Sequence, residues 1–126
     1  MKLSVSVLFL AAAFVGVQAH ADCTHPMPPG KLPDGATASK QEMVDGMMAV
    51  RAFDTAIKAY TDCLKLEHDT AVGKIDPTLD ADKAKAQKSE LDNVWAKKND
   101  AAVDEDTAVA KQFNEQVKVY KAKQKS

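Results

Sequence analysis

The sequence predicts an all-α protein: an antiparallel hairpin of two long helices, with an extended proline-rich strap tied to the first helix by a disulfide. Three observations carry this. Residues 78–122 contain no Gly and no Pro and are dense in Ala, Lys, Gln and Glu, all good helix formers. Upstream, apolar residues recur at three- and four-residue steps from Met43 to Leu64, the spacing of one helical face. The only two cysteines, Cys23 and Cys63, fall one in the strap and one on that helix.

The first element reads as a secretion signal over residues 1–21. Lys2 supplies the positive start, residues 3–17 are apolar apart from Ser4, Ser6 and Gly16, and Ala19-His20-Ala21 matches the small-x-small cleavage pattern. The apolar run, about 15 residues, falls short of the roughly 20 that span a bilayer, so no membrane anchor is expected. Cleavage after Ala21 leaves 105 residues, with 24 large apolar side chains and 16 alanines, enough for one small helical domain.

Residues 22–38 form the strap. Pro26, Pro28, Pro29 and Pro33 hold it extended. At about 3.1 Å per residue, the 16 steps from Cys23 to Ser39 span roughly 50 Å. A helix from residue 39 to 63 rises only about 36 Å, so the strap can run back along it and reach Cys63. Secretion places the chain where disulfides persist, and one intramolecular bridge is expected. By chain entropy, closing the 41-residue loop stabilises the fold by roughly 4 kcal/mol.

Residues 39–126 form the hairpin. After the turn signal Pro33-Asp34-Gly35, Ser39-Lys40-Gln41-Glu42 reads as a capping box that starts the first helix. Its stripe is Met43, Val50, Phe53, Ile57, Tyr60 and Leu64, with Gly46 in one slot and Met47, Ala49, Ala56 and Cys63 widening it. The helix is expected to end near Asp69 or Ala71, with Gly73 breaking it. Asp76-Pro77 then predicts an N-cap followed by proline at the first position of a second helix, running from about Thr78 to Ala122. That helix carries the stripe Leu91, Trp95, Ala102, Val109, Phe113, Val117 and Tyr120, as in one strand of a coiled coil. Asn99-Asp100 is the one expected place for a kink or split, and residues 80–90, with only alanines on any face, are expected to pack least firmly.

With Lys2 removed, 16 basic residues face 18 acidic ones, a net charge of −2 that gives no electrostatic reason for a nucleic-acid or anionic-membrane partner. Lys118, Lys121, Lys123 and Lys125 form a basic end that complements the helix dipole. The chain has no phosphate-cradling glycine loop, no H-E-x-x-H, no G-x-S-x-G and no C-x-x-C, and no catalytic residue or cofactor is expected. The best metal-ligand candidates are His25 and His68, which the disulfide would bring toward one another, together with Glu67 and Met47 or Met48 from the methionine cluster Met43, Met47 and Met48. At helical spacing those methionines read first as core. The acidic run Asp104-Glu105-Asp106 reads as a solvated helix face.

Cys23, the strap ending Pro33-Asp34-Gly35, Glu42-Met43, Tyr60-x-x-Cys63-Leu64 and Asn99…Phe113-Asn114-Glu115…Tyr120-Lys121 together resemble small secreted proteins of unknown function from Gram-negative bacteria. The resemblance implies location in the cell envelope and a helical fold, and brings no catalytic or binding residue. The basic surface usual in periplasmic helical chaperones is missing. The expectation is a non-enzymatic secreted or periplasmic module that works through contact with a protein partner or a copy of itself. The alternative expectation is a carrier of a metal or small ligand at His25, His68 and Glu67.

Overall fold

A computed structural model describes residues 22–126. The secretion signal read over residues 1–21 lies outside the described residues. Two helices, α1 (Lys40–Gly73) and α2 (Ala81–Gln124), pack against each other as an antiparallel hairpin. At 1.5 Å per residue, their 34 and 44 residues make rods of about 51 and 66 Å.

α1 begins at the expected capping box. The Ser39 hydroxyl accepts from the Glu42 amide at 3.2 Å, and the Glu42 carboxylate accepts from the Ser39 amide at 2.7 Å. The helix outlasts its expected end and takes in Gly73 as its last residue, with Lys74 as cap. Gly73 keeps a negative φ, so the helix closes on a right-handed cap and needs no left-handed glycine.

The start of the second helix differs from the expectation at Asp76-Pro77. Here Pro77 occupies the second position of a turn in which the Leu79 amide reaches the Asp76 carbonyl at 3.2 Å, and the Asp76 carboxylate accepts from both the amide and the hydroxyl of Thr78. The side chain that would have capped a helix is thus committed to the turn. Asp80 caps α2 instead, accepting from the Lys83 amide at 2.9 Å.

α2 then runs unbroken past Asn99-Asp100. A polar pair without Gly or Pro leaves the hydrogen-bond ladder intact, and Ala102, with no surface exposed, clamps that turn against α1. Between residues 81 and 90 only Ala84 is even half-buried, in line with the weak packing expected there.

The core is two clusters in line along the rod. Phe53, Ile57, Ala102 and Val109 form one, with Val50 and Tyr60 against it. Ala38, Met43 and Phe113 form the other, flanked by Leu32, Met47, Val50, Val117 and Tyr120. The second cluster draws Leu32 and Ala38 from the strap, which therefore acts as a third packing element. Two glycines permit this. A Cβ at Gly46 would stand 2.6 Å from Cγ of Pro33, and one at Gly35 would collide with the backbone carbonyl of Gln116. The 34–38 turn is closed by the Asp34 carbonyl, which accepts from the Thr37 and Ala38 amides, while the Gly35 amide donates to Gln116 Oε1 at 2.9 Å.

Candidate functional site

Cys23 and Cys63 are joined, with Cα atoms 5.8 Å apart, and the strap runs back along α1 as its length requires. Glu67, one turn beyond Cys63, accepts a hydrogen bond from the Cys23 amide at 3.1 Å. Cys23, Cys63 and Glu67 are the one grouping of three potential ligand atoms within 4.8 Å among the described residues. Its two sulfurs are spent on each other, because a metal is held by thiolate and a disulfide sulfur carries no such charge.

The expected approach of His25 to His68 does not take place. His25 sits edge-on to the Tyr60 ring at 5.0 Å and directs Nε2 to Glu105 of α2 at 3.1 Å. His68 lies on the side of α1 that faces α2, where Nε2 meets Asp92 at 2.7 Å, Nδ1 meets Asp69 at 3.2 Å, and the ring leans on Trp95 at 5.5 Å. Helical geometry separates the candidates: neighbouring residues point about 100° apart, so Glu67 faces the strap while His68 faces α2. The methionines divide in the same way. Met43 is buried, Met47 is half-buried against the core, and Met48 is 61% exposed.

In place of a ligand set, the structure assembles a row of polar contacts between elements. Lys65, Asp69, His68, Asp92 and Lys88 form a chain from α1 to α2, with Lys65 2.7 Å from Asp69 and Lys88 2.6 Å from Asp92. Hydrogen bonds from Lys88 and then His68 hold the Asp92 carboxyl below its ordinary range, and Lys65 and then His68 do the same for Asp69. A neutral imidazole has one donor nitrogen, and both nitrogens of His68 face carboxylate oxygens, so only the imidazolium donates to both.

Further along the hairpin, the acidic run departs from its expected role as a solvated face. Asp104 is exposed, Glu105 receives His25, and Asp106 is half-buried. Asp106 Oδ1 is shielded from solvent and has no hydrogen-bond donor. Burial first, then the Asp54 charge and hydrogen-bond contact, push the Asp106 carboxyl above its ordinary range. Among the described residues, the Trp95 indole N–H is the other buried side-chain group without a partner.

The sequence reading missed Asp92, Glu105 and Gln116 as partners. Each pairing spans two elements and depends on helix register, which apolar periodicity does not encode. A groove of about 500 Å³ between the strap and the start of α1 is lined by Pro29, Leu32, Pro33, Asp45 and Ala49, and by Glu42, whose carboxylate is occupied by the capping box. No helix among the described residues is long and apolar enough to cross a membrane. No family model, curated protein or solved structure matches the chain.

Proposed function

We propose that the protein works outside the cytoplasm as a non-enzymatic helical module, through contact of its rod-like surface with another protein chain. The observation that carries this reading is the pattern of large apolar side chains on the outer faces of both helices. Met48 and Leu66 are 61% and 69% exposed and stand 18 residues apart, five helical turns, so they share one outward azimuth of α1. Val94, Val103 and Val119 are exposed on α2, and Met27 on the strap is 87% exposed. Isolated exposed apolar residues are ordinary, but Met48 and Leu66 on one azimuth of α1, and Val94 and Val119 on one azimuth of α2, offer points on which a second helix can rest.

Location in the periplasm or outside the cell is supported by the signal-like start of the sequence and by the disulfide, which persists in oxidising compartments. Light scattering on residues 22–126, together with cross-linking in the intact envelope, tests the reading. The expected result is a mass above that of the monomer or a discrete cross-linked product, lost in the double variant Met48→Lys, Leu66→Lys. A wild-type protein that is strictly monomeric and forms no cross-linked product would overturn it.

A further inference from the structure

We infer that His68 is a proton-operated clamp on the turn end of the hairpin, closing α1 on α2 through Asp69 and Asp92 when its ring is charged and loosening that end as the pH rises. The side chain lies in the interface, 15% exposed, with both ring nitrogens on carboxylate oxygens: Nε2 is 2.7 Å from Asp92 Oδ1 of α2, and Nδ1 is 3.2 Å from Asp69 Oδ1 of α1. The imidazolium donates at both. The neutral ring carries one N–H, so its other nitrogen sets a lone pair against a carboxylate oxygen, and one of the two contacts turns repulsive.

The clamp sits where little else holds the helices together. The buried residues of both core clusters lie toward the other end of the rod, within residues 38–57 and 102–113. Among the described residues, none from 65 to 101 is buried, and His68–Asp92 is the one hydrogen bond that crosses from helix to helix in that stretch. With only half-buried side chains such as Leu91 and Trp95 beside it, a single charge-assisted bond decides a larger share of closure here than it would in the core.

The charged groups facing the ring are already placed. Lys65 of α1 lies on Asp69 Oδ2 at 2.7 Å, and Lys88 of α2 lies on Asp92 Oδ2 at 2.6 Å, which leaves each Oδ1 to His68. Hydrogen bonds from these lysines first, and then from His68, hold both carboxyls below their ordinary range, so they stay ionised while a histidine titrates. Glu67 faces the strap and accepts from the Cys23 amide at 3.1 Å. The second histidine, His25, is on the strap beside Tyr60 and Glu105.

An imidazole sheds its proton between about pH 5 and 8. The second bond exists only in the closed hairpin and only with the proton in place. Its contribution is therefore present at the acid end of that window and lost toward the alkaline end.

The experiment is hydrogen exchange on the disulfide-bonded protein at about pH 5.5 and about pH 8, corrected for the intrinsic pH dependence of exchange. In the wild type, amides of residues 65–73 and 88–98 are expected to lose about three- to tenfold in protection between the two, the effect of one partly exposed charge-assisted bond, while those around Phe53 and Val109 keep theirs. In His68→Gln, whose side chain has no proton to lose, protection at the turn end is expected to be low at both pH values. In His25→Gln the wild-type fall is expected to remain. A turn end whose protection does not fall in the wild type, falls as much in His68→Gln, or stops falling in His25→Gln overturns the inference.

Should His68→Gln fail to fold, Trp95 reads the same ring in the wild type. It is the only tryptophan of the chain, and its ring centre is 5.5 Å from that of His68, so an imidazolium there touches the indole and quenches its emission. Emission is expected to rise from about pH 5.5 to about pH 8 as the ring loses its charge, and to shift to longer wavelength as the loosened helices wet the indole. Emission that stays flat, or that rises without the shift, overturns the inference.

Discussion

Gly46 shows how much of this hairpin depends on single positions. Its slot in the α1 stripe is empty so that Pro33 of the strap and Phe113 of α2 can both enter it, and an added Cβ would lie 2.6 and 2.7 Å from two proline ring carbons and 3.0 Å from Cε2 of Phe113. Alanine raises helix propensity, but here the clash outweighs the gain, because a proline ring seated against a buried phenylalanine has nowhere to retreat. Gly46→Ala is therefore expected to lower stability by about 1–3 kcal/mol, measured by urea unfolding, although the same change on an exposed helix face stabilises. The stripe itself showed an apolar face with one gap at Gly46. That the gap receives a proline from the strap is visible only once three elements have met.

The elements are governed by their ends. Ser39 and Glu42 satisfy each other's backbone donors, so α1 starts where the sequence says it should. Ser39→Ala is expected to cost about 1 kcal/mol, read as a lower thermal midpoint, with the loss concentrated in faster amide exchange over the first turn of α1. The far end was harder to read, for a specific reason. Asp76 and Asp80 are both aspartates four residues apart, and either could cap; the turn at Pro77-Thr78 captures Asp76 through Thr78, which leaves the cap to Asp80. Likewise Asn99-Asp100 has weak helix propensity, yet the surrounding turns bury Ala102 and Val109 against α1, and tertiary packing overrides the local preference.

For the whole molecule, the disulfide and the strap turn a pair of helices into a three-element structure. The first cluster, Phe53, Ile57, Ala102 and Val109, comes from the helices alone, whereas the second seats Met43 and Phe113 against Leu32 and Ala38 of the strap. The bridge holds the strap's N-terminal end at Cys63, and the Gly35–Gln116 hydrogen bond holds its other end against α2. Replacing both cysteines by serine is expected to lower stability by about 4 kcal/mol in the chain-entropy account. Urea unfolding checks this. Because Ala38 and Leu32 stay seated in the second cluster, hydrogen exchange is expected to show the larger loosening near His25 and Tyr60, and the smaller near Met43 and Phe113.

What the sequence determined by itself is what depends on near neighbours along the chain: the capping box at Ser39, the apolar stripes, the proline-held strap and a loop length that lets Cys23 meet Cys63. Which side chains face one another across elements, His25 with Glu105 and His68 with Asp92, emerges only when the helices and the strap pack together. Periodicity defines a face but leaves sliding along the partner helix undetermined. That register is set by the combined fit of Gly46, Pro33, Phe113 and Ala102, a property of the assembled interface.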